Sequence, residues 1–198
     1  DDWLANGNPW EVKRNDNAQE VKFGGSVFSY CDENGNVHYE QKDFESVLAI
    51  PYDMPILGYK NGFVNGLRLW DAEAPEKFVL RFFDQGAYEK AVQQQTLAKT
   101  LVEVLYPNDN HYQGKALRLK QQYFFVSATV QSAIAKFKKS NSNIYDLPQK
   151  VVFQMNDTHP AIAVAELMRI LIDEENLGWD DAFYITTHTC AYTNHTIM

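Results

Sequence analysis

The sequence predicts an α/β fold whose first part is rich in β-strands. Three observations carry this prediction. Apolar and polar residues alternate over parts of 1–83, apolar residues recur at helical spacing over 84–140, and a strand-helix-strand order occupies 150–198. The chain has 198 residues, of which 45% are hydrophobic and 22% are charged, as in an ordinary globular domain. We therefore expect residues 1–198 to form one α/β unit.

The β-rich part is predicted to begin with a hairpin. Residues 26–30 and 37–40 alternate in polarity, and Asn34-Gly35 between them is typical of a tight turn. The continuous apolar run at 46–50 predicts an interior strand that stops at Pro51. Further strands are predicted at 21–23, 66–70 and 78–83.

Two long helices are predicted to follow. Apolar residues at helical spacing indicate one helix over 87–106. Pro107 should end it, because the proline ring clashes with the preceding helical turn. A polar loop is predicted at 108–114, and apolar residues spaced three and four apart predict the second helix over 115–139.

The last part, 150–198, is predicted to contain a βαβ unit. A strand at 150–155 leads through a polar loop into a helix from Pro160 to about Glu175, and the next strand is predicted at 183–187. This order predicts a parallel pair of strands with the crossover helix on one face.

Two polar loops follow these predicted strands, at 156–160 and 188–196. Ligands bind beyond the carboxyl ends of parallel strands, so the two loops should lie side by side at a ligand site. Neutral donors with one carboxylate suit a polyhydroxylated ligand, and the loops offer Asp157, Thr158, His159, Thr193, Asn194, His195 and Thr196. A helix-entry cap explains the first loop equally well, and a lone histidine such as His195 is more often structural. We expect no metal site, because nothing beside His159 and His195 has the spacing of a third ligand.

Composition narrows the possible partners. The net charge is −8 and the acidic residues are spread along the chain, which argues against nucleic acid and anionic membranes as partners. The two cysteines match no metal spacing and indicate a reducing, cytoplasmic compartment. No apolar run reaches the roughly 20 residues that span a bilayer. The opening Asp1, in place of an initiator Met, suggests a chain cut from a longer one.

Seven short strings carry a resemblance to a known family. The chain resembles the α-1,4-glucan phosphorylases, which include the glycogen, starch and maltodextrin phosphorylases. The matching strings occur in the family's order and run along nearly the whole chain. They are GNPWE at 7–11, IPYD at 50–53, LRLW at 67–70, LYPNDN at 105–110, LRLKQ at 117–121, NDTHP at 156–160 and CAYTNHT at 190–196.

The resemblance implies an internal fragment of the N-terminal half of a two-domain, GT-B type glycosyltransferase with Rossmann-like halves. Such enzymes cleave the terminal α-1,4 bond of a glucan with inorganic phosphate and release glucose 1-phosphate. Their cofactor is pyridoxal 5′-phosphate (PLP), and its attachment lysine is expected outside this chain. The helix at 87–106 resembles the helix through which these enzymes form homodimers. The fragment alone is therefore expected to be inactive.

The resemblance also assigns roles to individual residues. Asp109 and Asn110 match the loop that gates the active site, where the Asn side chain binds a glucose hydroxyl. His195 matches the histidine that contacts the reacting glucosyl unit, which makes it the expected catalytic residue. The remaining expected substrate-binding residues lie in or near the same pocket: Asp157, His159, Arg118 and Thr196.

Departures from the family pattern bear on regulation. His111 stands where animal enzymes tend to carry an aromatic residue of a purine-type inhibitor site. Ala135 and Lys136 stand where AMP-regulated members place paired arginines, and Arg68 alone predicts no control by AMP. The alternative to a phosphorylase is a non-catalytic, glucan-binding or interaction module that reuses half of the fold.

Overall fold

The computed structural model describes residues 7–76 and 80–195 of the chain. The strands are β1 Val12–Lys13, β2 Gln19–Phe23, β3 Ser26–Cys31, β4 Val37–Lys42, β5 Glu45–Leu57, β6 Val64–Glu73, β7 Phe153–Asn156 and β8 Cys190–Thr193. The helices are α1 Leu80–Asp84, α2 Tyr88–Glu103, α3 Tyr112–Lys138, α4 Leu147–Lys150, α5 Ala163–Arg169 and α6 Trp179–Thr189, with a π-helix at Ile170–Glu174. The fold is mixed α/β, as the sequence predicts.

The strands form three sheets. One is four-stranded in the order β1-β5-β2, with β6 also paired to β5. The pairs β3-β4 and β7-β8 form two further sheets. The chain divides into two compact units, the first comprising Asp1–Glu20 and Val47–Glu103 and the second Val21–Ser46 and Val104–Met198. The described residues predicted for the functional site belong to the second unit, and Thr196 lies outside the described residues.

In the first unit, β5 is the long central strand. It pairs antiparallel with β6 from Leu48 to Leu57, and this pairing confirms the strand predicted at 66–70. The prediction that the strand at 46–50 stops at Pro51 is wrong, because β5 continues through this proline.

Pro51 is tolerated inside β5 because its nitrogen faces away from β6. The Pro51 carbonyl accepts from the Arg14 N–H at 2.9 Å, immediately after β1. The N–H and C=O of a strand residue point toward the same edge, so the ladder with β6 does not use the Pro51 nitrogen. Pro55, four residues further along, has the same orientation in the pleat.

The prediction of a strand at 78–83 is wrong for the described residues 80–83, which are helical and belong to α1. Gly86 ends this helix with φ +76° and donates its N–H to the Phe83 carbonyl at 2.9 Å. The Ala87 N–H donates to the Phe82 carbonyl at 2.9 Å. These two bonds form a Schellman motif, so the glycine was the overlooked signal of a helix end.

Helix α2 confirms the prediction of a helix over 87–106, although it ends at Glu103. The chain leaves the helix before Pro107, and Tyr106 has a left-handed φ of +56°. The residue before a proline is disfavoured in the α conformation, which explains why the helix does not continue up to the proline.

In the second unit, β3 and β4 form the predicted hairpin. They pair antiparallel from Ser26↔Lys42 to Cys31↔Val37. Gly35 adopts φ +82° in the connecting turn, a conformation that glycine reaches without a Cβ clash.

Helix α3 confirms the helix predicted over 115–139 and begins three residues earlier, at Tyr112. Its buried side packs into the core of the second unit. That core consists of residues from α3, α4, β7, α5, the π-helix and α6: Val126, Val130, Ile134, Phe137, Leu147, Met155, Ala163, Leu167, Ile170, Leu171, Ala182 and Ile185.

The βαβ prediction is confirmed in its order and wrong in the position of its second strand. β7 and β8 pair in parallel, and the crossover between them is helical. The first strand begins at Phe153, because Leu147–Lys150 form a short helix. The crossover helix begins at Ala163, three residues after Pro160.

Residues 183–187, predicted as a strand, lie inside helix α6. Gly178 precedes the helix in an extended conformation, and two aspartates occupy its first turn, where negative charge favours the helix dipole. The buried residues recur at i, i+3, i+4 and i+7, and they are Ala182, Ile185, Thr186 and Thr189. This helical burial pattern outweighs the β-propensity of the phenylalanine, isoleucine and threonines.

No helix in residues 7–76 and 80–195 combines the length and the apolar character that a membrane crossing requires.

Candidate functional site

A cleft of about 220 Å³ lies beside α3 in the second unit. The cleft is smaller than the roughly 300–1,000 Å³ of typical small-molecule sites, so it suits one part of a larger ligand. Its walls come from α3, from the segment after α2, and from the segment after β7. The lining residues are Leu105, Tyr106, Arg118, Gln121, Gln122, Phe125, Val126, His159 and Pro160.

Arg118 is the positive charge of this cleft. Its Nη1 donates to Asp109 Oδ2 at 2.7 Å, and the two side chains are 33% and 44% exposed. An ion pair this accessible contributes about 1 kcal/mol or less to stability. Its main effect is therefore on geometry, since it orients the Asp109 carboxylate and the guanidinium together.

Tyr106 contacts both Arg118 on α3 and His159 in the segment after β7. Its ring centroid lies 5.5 Å from the Arg118 guanidinium and 5.9 Å from the His159 ring, which it meets edge to face. Tyr106 also has a left-handed backbone, which a non-glycine residue adopts only when its surroundings enforce it. Tyr106 was not among the predicted site residues, although its place between a helix and a proline was a signal.

The loop that carries Asp109 and Asn110 is folded onto the start of α3. The Asn110 N–H donates to Asn108 Oδ1 at 3.0 Å. His111 Nδ1 accepts from the Gly114 N–H at 2.9 Å and thereby caps α3. Asp109 faces Arg118, whereas the Asn110 side chain is exposed.

The ends of β7 and β8 meet, which brings the two predicted ligand-site segments together. The segment predicted as a loop at 188–196 is, however, the end of α6 and strand β8, followed by residues 194–195. Asn156 pairs with Thr193, and the Asp157 N–H donates to the Thr193 carbonyl at 2.8 Å. His195 is exposed two residues beyond β8, and Thr196 lies outside the described residues.

Asp157 turns the chain from β7 toward the cleft. Its backbone is left-handed, with φ +68°, and its Oδ1 accepts from the Thr158 N–H at 2.9 Å. The alternative that this loop caps a helix is wrong, because the Asp157 carboxylate bonds the adjacent Thr158 N–H, outside any helix. Helix α5 itself begins at Ala163 and has no side-chain cap.

The structure thus places Arg118 and His159 against Tyr106, and Arg118 also bonds Asp109. Asp157 and His195 belong to neighbouring strand ends. Among the described residues, no group of three or more His, Cys, Asp or Glu side chains is arranged to hold a metal ion.

A buried ionic group supports α3 and α5, and none of its members was among the predicted site residues. Glu166 is 2% exposed, and its carboxylate accepts from Ser127 Oγ at 2.6 Å and from Tyr123 Oη at 3.2 Å. Arg169 donates to both of its oxygens at 2.8 Å. The Glu-x-x-Arg spacing was the available signal, because residues three apart share a helix face.

The burial of this group affects the pKa of its members. Burial acts to lower the pKa of Arg169, but its hydrogen bonds and charge interaction with Glu166 outweigh that effect and raise it. Burial raises the pKa of the Tyr123 hydroxyl, and the negative charge of Glu166 adds to this effect. Both groups therefore keep their protons at neutral pH, with Arg169 as the counter-ion of Glu166.

Comparison with known proteins identifies the family. Residues 1–198 match the family model described as carbohydrate phosphorylase. The chain is 48% identical to the muscle form of glycogen phosphorylase from Ovis aries and from Homo sapiens, and 49% identical to the brain form from Bos taurus. Each alignment covers 100% of this chain and 24% of the relative. The chain therefore spans about a quarter of the length of these relatives. The family resemblance seen in the seven strings is confirmed, and this chain belongs to the carbohydrate phosphorylase family.

Proposed function

We propose that the protein containing this chain is an α-1,4-glucan phosphorylase. The observation that carries the proposal is the match of the whole chain to the family, at 48% identity to proteins named glycogen phosphorylase. In the proposed net reaction, the bond from C1 of the terminal glucosyl unit to the glycosidic oxygen breaks, and a bond from C1 to an oxygen of hydrogen phosphate forms with retention. The proton that hydrogen phosphate gives up is taken by the leaving oxygen, which becomes a hydroxyl of the shortened glucan.

The geometry of the cleft supports a sugar ligand. Asp109 and Arg118 form an oriented polar pair, His159 supplies a ring nitrogen, and Tyr106 adds an aromatic wall. Few polar groups on a mainly apolar cleft suit a neutral ligand with many hydroxyls.

We assign further roles in line with the family resemblance. Asn110 hydrogen-bonds a glucose hydroxyl, and Asp157 and Thr196 line the same pocket. His195 is the proposed catalytic residue and contacts the reacting glucosyl unit. The exposed positions of Asn110 and His195 leave both side chains accessible to a ligand.

When bound to the full enzyme, PLP would supply its phosphate group for the acid-base chemistry of the reaction. The described residues that line the cleft include no lysine, and so they do not fit the attachment of this cofactor. We therefore propose that the cofactor is held by a part of the protein outside this chain, and we assign it no step here.

We extend the proposal to the full-length enzyme and its dimer. Residues 1–198 would form part of the N-terminal, Rossmann-like half of a GT-B type enzyme, and the parallel pair β7-β8 with its helical crossover supports this. The helix predicted over 87–106 would form the homodimer contact. The proposed compartment is the cytoplasm.

Phosphorolysis by the full-length protein is the decisive experiment. Purified protein with PLP, maltodextrin and inorganic phosphate should release glucose 1-phosphate, and omission of phosphate should abolish the product. No product with PLP bound would refute the proposal. Binding of maltodextrin without phosphorolysis would instead favour a non-catalytic glucan-binding module.

The isolated 198-residue chain should neither bind PLP nor turn over glucan. The absorbance of bound cofactor or any glucose 1-phosphate from this purified chain would contradict this expectation.

A further inference from the structure

The beginning of α3 is held by an unusual cap. His111 has an extended backbone, and its Nδ1 accepts from the Gly114 N–H at 2.9 Å. Its own carbonyl accepts from the Lys115 N–H at 3.2 Å. Ser, Thr, Asp and Asn are the usual residues at this position. A histidine caps a helix only while Nδ1 carries a lone pair, so its proton belongs on Nε2.

Gly114, which donates this bond, also allows the close approach of the preceding loop. A Cβ at Gly114 would lie only 1.8 Å from the Asn108 carbonyl oxygen, and Gly114 is buried. Gly114 therefore both donates its N–H to the capping His111 side chain and packs against the backbone of Asn108. The loop between them, which carries Asp109 and Asn110, is fixed at both of its ends.

The cap and the ion pair of the cleft share a helix. Asp109 reaches Arg118, and Arg118 belongs to the helix that His111 caps. Loss of the cap would release the end of the loop next to Asn110 and would change where the Asp109 carboxylate meets the guanidinium. The energy of the exposed pair is too small to hold the loop by itself.

We propose that His111 is a positioning residue of the glucan site. Its bond to Gly114 sets the placement of Asp109 and Asn110 relative to Arg118. This inference rests on the proposed phosphorylase function. His111 acts through the loop and takes no part in bond breaking.

Two substitutions separate the acceptor from the bulk of the side chain. In His111→Asn, Oδ1 stands the same number of bonds from the backbone as Nδ1 and keeps the acceptor. In His111→Leu, a side chain of similar size remains and the acceptor is lost. We expect kcat/KM for maltodextrin to stay within about twofold of wild type in H111N and to fall about three- to thirtyfold in H111L, the range of typical cap losses. KM for phosphate should change less than KM for maltodextrin in H111L.

A cap away from the cleft provides the control. Asn143 Oδ1 accepts from the Tyr145 N–H at 3.2 Å, and so Asn143→Ala removes a comparable bond. N143A should leave both KM values unchanged. Gly114→Ala should act in the same direction as H111L, because its methyl group displaces the Asn108 carbonyl while its N–H is retained.

Hydrogen exchange of the full-length protein separates this inference from the proposed function. Amides of residues 108–114 should exchange faster in H111L than in wild type and H111N. Equal exchange in all three proteins, or equal losses of kcat/KM in H111N and H111L, would overturn the positioning role. If wild type releases no glucose 1-phosphate, the proposed function fails. In that case, the hydrogen-exchange comparison still tests whether the cap orders the loop. The affinities of the same proteins for maltodextrin test whether the loop affects ligand binding.

Discussion

The cleft depends on contacts between side chains that lie far apart in the chain. Arg118 and His159 come from different elements, and Tyr106 contacts both of them. Tyr106 holds this position with a left-handed backbone beside Pro107. Such a backbone disfavours tyrosine by roughly 1–3 kcal/mol, so the packing of its neighbours must enforce it.

The Asp109–Arg118 pair is expected to matter for activity more than for stability. Asp109→Asn keeps the shape of the side chain and removes its charge. The free energy of unfolding of the full-length protein should change by about 1 kcal/mol or less, because the pair is accessible to water. kcat/KM for maltodextrin should fall about tenfold or more, because small displacements of ligand-positioning groups have large effects on rate. Urea unfolding and initial-rate kinetics measure the two effects.

Lys138→Gln is the matched control for this prediction. It breaks the Lys138–Glu175 pair of 2.8 Å at the other end of α3. The control should match D109N in stability and keep wild-type kinetics. A D109N protein with normal kcat/KM would remove Asp109 from the proposed site.

A second residue-scale prediction concerns an unsatisfied hydroxyl in α6. Among the described residues, no hydrogen-bond partner reaches the buried Thr186 Oγ1. Thr186→Val keeps the shape of the side chain and removes the buried hydroxyl that lacks a hydrogen bond. We therefore expect the variant to be more stable by about 1 kcal/mol. Thermal unfolding should show a higher Tm. The comparison variant is Thr189→Val, which loses the 2.7 Å bond to the Ile185 carbonyl and should not gain stability. Equal Tm changes in the two variants would contradict the argument.

At the scale of elements, one histidine joins the β3-β4 hairpin to the segment after the π-helix. His38 Nε2 lies 3.1 Å from Asp32 Oδ2, and Nδ1 lies 2.7 Å from Asn176 Oδ1. The Asn176 amide nitrogen donates to the Glu174 carbonyl, which fixes the amide orientation. Both ring nitrogens therefore face acceptors, and this arrangement suits the doubly protonated imidazolium.

The pKa shifts agree with this geometry. The hydrogen bond to Asp32, followed by the bond to Asn176, raises the pKa of His38 above its ordinary value of 6.5. The hydrogen bond from the Asn36 side chain, followed by the bond from His38, lowers the pKa of Asp32 below 3.8.

The hairpin contact should therefore depend on pH. Because the pKa of His38 is raised in the folded state, its contribution is complete below pH 6.5 and is lost as the pH rises through the raised value. Because the pKa of Asp32 is lowered, its contribution is present above pH 3.8 and is lost at lower pH. Amide hydrogen exchange of residues 26–42, corrected for the intrinsic effect of pH on the exchange rate, should be slowest between these two pH limits. His38→Gln should remove the rise in exchange above pH 6.5, and an unchanged pH profile in H38Q would contradict the assignment.

At the scale of the whole molecule, apolar side chains are exposed on the isolated chain. The connection between β5 and β6 is an example, with Leu57, Tyr59 and Phe63 exposed by 76%, 84% and 72%. Contiguous exposed apolar surface favours association. We expect the isolated 198-residue chain to self-associate, with a mass in light scattering that rises with concentration.

A double variant tests which surface is responsible. Leu57→Lys with Phe63→Lys should lower the apparent mass at a given concentration, because charge is costly to bury in an interface. A clean monomer of the unchanged chain at high concentration would contradict the prediction.

The sequence by itself determined the family, the hairpin β3-β4, the helices α2 and α3, and the parallel order of β7 and β8. Each of these rests on a local pattern or on ordered strings, so it can be recognised without knowing what packs against it. The roles expected for Asn110, His195 and Thr196 also come from such strings and stay predictions.

Only the tertiary structure decided the rest. Residues 183–187 became helical because their buried positions have helical periodicity in the core, and β5 passes Pro51 because the missing N–H faces away from β6. Likewise, the pair of Asp109 with Arg118, the placement of His159 beside Tyr106, and the buried Glu166 group join residues on different elements. Local spacing reports which residues share one face of one element. It carries no information about which faces meet, and the cleft is formed where they do.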